Sequence, residues 1–207
     1  VHADPASGVA NIVFNRVRPQ IEALELPSGY SLEWWGESRD TARGRAGIAA
    51  SLPLFLLAMV LIVITLFNSL RQPLVIWLTV PLALIGVTVG LLLTGQPFGF
   101  MATLGFLSLI GMLIKNAIVL IDEIEAQKTR GVEIYDAIVS SGVSRLRPVA
   151  LAALTTIMGM FPLLPDAFFV SMAVTIIFGL LFATVLTMIV VPVLYAVFFR
   201  VPSPPSG

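Results

Sequence analysis

Residues 100–121 read FMATLGFLSLIGMLIKNAIVLI, and this stretch decides the fold. It holds 22 residues and a single charge, Lys115. At 1.5 Å of rise per residue, a helix of about 20 residues crosses a hydrocarbon core roughly 30 Å thick. Working outward, the same signature recurs. Ile48–Phe67 is 20 residues without a charge. Leu74–Leu93 is a second such run, ended by the turn signal Gly-Gln-Pro-Phe-Gly at 95–99. Pro148–Leu164 is shorter, and residues 170–199 are apolar almost throughout. The chain is therefore expected to be a membrane all-α protein, a bundle of five transmembrane helices spanning about 48–67, 74–93, 100–121, 148–164 and 170–199.

Composition agrees. Of the 207 residues 57% are hydrophobic and 12% charged, where soluble domains carry about 25% charged residues. Net charge is zero, which gives no footing for a nucleic-acid partner. With no cysteine, disulfides and thiolate metal sites are excluded. No phosphate loop, nucleophile elbow or zinc-ligand spacing is present, so neither an enzyme nor a bound cofactor or metal is expected. The one histidine, His2, carries no motif around it.

Residues 1–45 are the soluble-looking part. Ser7 suits an N-cap, and Val9, Ile12, Val13, Val17, Ile21 and Leu24 recur at helical spacing. Pro19 is expected to kink or split that helix. Pro27-Ser28-Gly29 signals a turn, and Tyr30–Trp35 reads as a strand. One helix and one strand cannot bury a core alone, so residues 1–45 read as a short α+β remnant of a larger soluble domain. The opening Val1, with no signal sequence behind it, fits a longer upstream part. Residues 46–200 form the bundle. Within it, 122–147 reads as a short amphipathic segment lying on the membrane surface, with Val132, Tyr135, Ile138 and Val139 on one face. The Pro/Ser-rich tail 201–207 reads as disordered.

Basic residues set the expected orientation. Arg71, then Lys128, Arg130, Arg145 and Arg147, then Arg200, fall on one side, while 94–99 and 165–167 hold none. The positive-inside rule places the amphipathic segment and the C-terminus in the cytoplasm and the N-terminus across an inner membrane, in the periplasm. Arg39, Arg43 and Arg45 run against this, but charges beside large exported domains count less.

Lys115 carries the chemistry. A lysine at bilayer centre costs about 2.5–3.5 kcal/mol on insertion scales, and such residues pair with acids and mark ion paths. The alternative is snorkelling toward the interface, a reach of about 10 Å to the level of Asp122. Asn116, next to it, also needs a partner in hydrocarbon. Asp122 lies at i+7, on nearly the same face, and reads as a solvated interfacial acid, as do Glu123 and Glu125. No acid lies deep in any span, so the partner of Lys115 is expected on sequence outside this chain. Thr155 and Thr156 either bond their own helix at i−4 or line a polar route. Gly86 and Gly90 form a G-x-x-x-G, and Gly105, Ser108 and Gly111 line span three with small residues, all favouring close helix contact.

Leu109 to Glu123, reading LIGMLIKNAIVLIDE, resembles the tenth transmembrane helix of resistance-nodulation-division (RND) efflux pumps, in their hydrophobe/amphiphile-exporter, AcrB-like branch. Leu26–Tyr30 with Trp34 and Gly36 is similar to the end of the family's porter domain. Arg145-Leu146-Arg147-Pro148, Leu154-Thr155-Thr156 and Gly159–Leu163 resemble its eleventh helix, and Val191–Tyr195 the end of its twelfth. The resemblance implies helices eight to twelve of a longer, trimeric, proton-driven multidrug pump, with this chain inactive alone. It implies that Lys115 pairs with two aspartates of the absent fourth helix, that Asn116 neighbours it in the relay, and that Arg145 lies near the cytoplasmic proton exit. A relay threonine of the family falls on Ala152 here, where Thr155 or Thr156 would have to substitute. It further implies a periplasmic adaptor and an outer-membrane channel as partners besides the lipid bilayer. Rival readings are an RND pump of another branch, exporting metal, lipid or protein, and a non-transporting fragment that binds partner helices.

Overall fold

The structure is a computed structural model that describes residues 10–24, 27, 29, 31, 32, 34 and 37–201. Six helices follow in order: α1 (Ala10–Glu22), α2 (Glu37–Phe67), α3 (Arg71–Thr94), α4 (Phe100–Thr129), α5 (Ile134–Met160) and α6 (Val170–Phe198), with a short 3₁₀ turn at Phe161–Leu163. The chain divides into two compact units, residues 1–49 and 50–207.

In the first unit α1 runs unbroken through Pro19, so the helix is not split there. Arg18 bonds Glu22 one turn on at 2.7 Å, and Trp34 Nε1 donates to the same carboxylate at 3.1 Å. That arginine holds the Glu22 carboxyl below its ordinary value. Phe14 meets Trp34 edge-on, ring centroids 4.9 Å apart. Among the described residues there is no strand, so the α+β character expected of 1–45 is not seen. Of the strand expected at 30–35, Tyr30, Glu33 and Trp35 lie outside the described residues, as do Ser7 and residues 202–207 of the tail.

The second unit is helical. Among the described residues five helices are long and apolar enough to cross a membrane: Thr41–Phe67, Arg71–Thr94, Phe100–Thr129, Ile134–Leu163 and Val170–Phe198. α6 packs against α3, α4 and α5. It is apolar all round, as a central helix must be. The core lies in two layers. One gathers Val75, Ile76, Ala117, Leu120, Ile124 and Tyr195; the other gathers Ala83, Val87, Leu109, Leu113, Val174 and Ala183.

Small residues set the closest approach. A Cβ on Gly86 would meet the Phe178 carbonyl oxygen at 2.6 Å, and one on Gly90 would meet Phe178 Cβ at 2.5 Å. The G-x-x-x-G of α3 therefore seats α6 at backbone distance. Gly105 likewise lies against Met172 of α6, whereas a Cβ on Gly111 would meet nothing within 4 Å.

Residues 122–147 do not form a separate helix. α4 carries them to Thr129 and α5 takes them up at Ile134. The reversal is a Schellman turn: Val132 N–H donates to Gln127 O, Gly131 N–H donates to Lys128 O, and Gly131 sits at φ +87°. Only a glycine adopts that conformation freely. The face expected to lie on the membrane is thereby divided, with Ile138 buried in the bundle and Val132, Tyr135 and Val139 exposed.

Candidate functional site

On α4, exposure is confined to one line. Between residues 100 and 127 only Ser108, Gly111, Lys115 and Asp122 are exposed. At 100° per residue these four fall within about 60° of one another. The remaining faces of α4 pack on α3, α5 and α6. Lys115 thus stands on the uncovered stripe and borders a groove toward α2 lined by Phe55, Met59, Ile62, Ile118 and Val119. No acid lines that groove. Among the described residues, Lys115, Asn116 and Asp122 make no side-chain hydrogen bond or ion pair, so the structure does not join Lys115 to Asp122.

The polar contacts gather toward the C-terminal end of α4. Arg145 of α5 pairs with Glu123, which also accepts from Gln127 Nε2 at 3.2 Å. Gln127 in turn accepts from Ser140. These contacts fix the register of the antiparallel pair α4 and α5. Eight residues up from Glu123 on α4 stands Lys115, and eight up from Arg145 on α5 stands Ala153. Lys115 is thus level with Ala152 and Ala153 and about 12 Å from the Arg145 level. Thr155 and Thr156, one turn further, both donate to the Ala152 carbonyl, at 3.0 and 2.9 Å. Their hydroxyls are satisfied within their own helix.

Glu123 and Glu125 were expected to be solvated, and both are engaged. Glu125 accepts from Tyr195 at 2.6 Å and from Gln72 at 2.9 Å, and Lys128 lies 3.3 Å from its other oxygen. Its partners stand 53 and 70 residues away, so spacing along the chain carried no sign of them. The available signal was Tyr195 itself, since a tyrosine buried in an apolar helix needs a partner for its hydroxyl.

The Glu123–Arg145 pair gives a direct test of packing. Arg145→Ala leaves a half-buried carboxylate with only Gln127, and is expected to cost about 1–3 kcal/mol. Thermal unfolding should show that loss, with most of it recovered in Glu123→Ala/Arg145→Ala. A single variant as stable as wild type would mean the pair contributes nothing.

With this geometry in hand, comparison with known proteins decides the family. Residues 1–199 match the AcrB/AcrD/AcrF family. The chain belongs to that family. Relatives in it include the swarming motility protein SwrC of Bacillus subtilis (strain 168), 30% identical over 187 residues, or 87% of this chain and 18% of that protein. The cobalt-zinc-cadmium resistance protein CzcA of Cupriavidus metallidurans is 28% identical over 192 residues, 88% of this chain and 18% of CzcA. The multidrug resistance protein MdtC of Serratia proteamaculans is 34% identical over 141 residues, 65% of this chain and 14% of MdtC. Among solved structures, a heavy metal efflux pump superposes with a TM-score of 0.70 at 28% identity, covering 92% of this chain and 20% of that one. The chain thus spans about a fifth of the length of the family members it matches. Family membership and five membrane-length helices together make it a multi-pass membrane protein of the RND transporter family.

Proposed function

We propose that this chain is part of the transmembrane motor of a proton-driven efflux transporter, with Lys115 as its intramembrane cation. One observation carries the reading. Lys115 projects from the only uncovered stripe of α4 and has no partner among the described residues. In hydrocarbon an ammonium requires a counter-charge. A carboxylate pair from the rest of the pump, seated on the stripe of Ser108, Gly111, Lys115 and Asp122, supplies it. Gly111 and Ser108 let that helix approach closely. Each proton that neutralises the carboxylates draws on about 2.3 kcal/mol per 100 mV of membrane potential. Neutralisation frees Lys115 to shift, and Arg145 with Glu123 marks the cytoplasmic end of the path. Asn116, Asp122 and one of Thr155 or Thr156 complete the relay. With alanines level with Lys115 on α5, the threonine hydroxyl must exchange its own-helix bond for one to water when the relay runs.

The same reading places the pump in an inner membrane as a homotrimer, with a periplasmic adaptor and an outer-membrane channel, the N-terminus periplasmic and the C-terminus cytoplasmic. For cargo, our reading is a hydrophobic drug-like compound, as the resemblance around Lys115 implies. A second reading, metal export, is favoured by the likeness to CzcA and to the heavy metal pump. Expressing the full-length transporter in a strain stripped of its own pumps tests both. Raised tolerance to amphiphilic drugs alone is the expected result; raised tolerance to cobalt, zinc or cadmium alone assigns it to the metal branch.

A further inference from the structure

The Glu125 cluster lies outside the relay just described, and it joins three helices at one point. Glu125 is on α4, ten residues and about 15 Å along the helix from Lys115. Gln72 is the second residue of α3 and is 5% exposed. Tyr195 is near the end of α6 and is fully buried. Both donate to the same carboxylate oxygen, while Lys128 pairs with the other. Gln72 turns its nitrogen to Glu125, and its own buried Oε1 has no partner among the described residues. The rim is closed by Phe199, stacked on Tyr195 with centroids 4.3 Å apart and flanked by Arg71 at 5.7 Å and Lys128 at 5.9 Å.

We propose that Glu125 is a positioning residue of the motor: by clamping α4 to α3 and α6 it fixes the depth of Lys115 and makes the three helices shift together when Lys115 is displaced. Two features give the clamp this role. It grips α4 near its C-terminal end, about 15 Å from the lysine, so small slips there translate the lysine along the bundle axis. It also ties α4 to the two helices that meet closely at Gly86, against the α6 backbone, and at Gly90, against the Phe178 side chain, so a push on α4 moves the whole block. The proposal rests on the transport reading given above.

The test uses the full-length transporter in liposomes, with proton uptake driven by a potassium diffusion potential and read by an internal pH dye. A second readout is the ¹³C signal of dimethylated Lys115, assigned by its loss in Lys115→Arg. Glu125→Ala is expected to lower uptake per inserted pump about tenfold and to move the Lys115 signal by more than its line width. Glu125→Gln keeps an acceptor oxygen for Tyr195 and should restore most of both. Where Glu125→Ala fails to insert, Tyr195→Phe, which deletes one hydroxyl, should move both readouts in the same direction by less. An unmoved Lys115 signal in the inserted variants overturns the proposal, even if uptake falls, because the clamp would then serve stability alone. Unchanged proton uptake in Lys115→Ala defeats the transport reading itself, and this outcome is told apart from the first because it does not involve Glu125.

Discussion

Lys115→Ala is expected to abolish proton-coupled transport by the full-length pump and to leave its abundance in the membrane unchanged. Both halves follow from where the residue stands. The side chain lies on the exposed stripe of α4, so its truncation opens no cavity among the buried Leu113, Ile114 and Ala117. Removing a charge from hydrocarbon also relieves an insertion cost. Transport suffers because no other cation lies within the apolar run of α4 before Lys128. A loss of at least about 100-fold is expected, the scale of removing a positioned proton-transfer group. Drug or metal tolerance at wild-type level, at equal abundance, would remove Lys115 from the mechanism. Lys115→Arg is not a benign control, since a planar guanidinium cannot reproduce the compact ammonium at a tight site.

Gly86→Ala is expected to be the most damaging methyl in the bundle. The added Cβ would lie 2.6 Å from the Phe178 carbonyl and 2.7 Å from Phe182 Cβ, both anchored to the backbone of α6. No rotamer change relieves such a contact, so α3 and α6 must part. Overpacking of this kind costs about 1–3 kcal/mol, and the same change at Gly90 should behave alike. Gly142→Ala on α5 is the internal comparison. Nothing lies within 4 Å of its added methyl, and alanine favours a helix over glycine by about 1 kcal/mol. Thermal unfolding in detergent should therefore rank Gly142→Ala at or above wild type and Gly86→Ala well below. Equal stability of the two would deny the close contact between α3 and α6.

These expectations show what a sequence can and cannot display. Membrane length and the absence of charge are local properties, so five helices were readable from the runs around Ile48–Phe67 and Phe100–Ile121. Lys115 was readable for the same reason, as the one charge inside such a run. The segment 122–147 was misread because its helical periodicity continues on both sides of the reversal. Only the backbone at Gly131 shows that the chain turns back into the bundle. The acids were misread for a different reason. Glu123 and Glu125 are two residues apart and face different neighbours, Arg145 on one side and Tyr195 with Gln72 on the other. Nothing in their own stretch distinguishes them from solvated interfacial carboxylates. Their roles depend on how α3, α5 and α6 pack on α4.

The surroundings of a single nitrogen in the complete assembly decide whether Lys115 is the intramembrane cation of the motor. A structure of the full-length transporter in a lipid bilayer measures it directly. The prediction is a carboxylate within about 4 Å of Lys115 Nζ, the separation at which opposite charges in a membrane interior stabilise each other. Finding Nζ among headgroup waters, with no acid beside it, would contradict it.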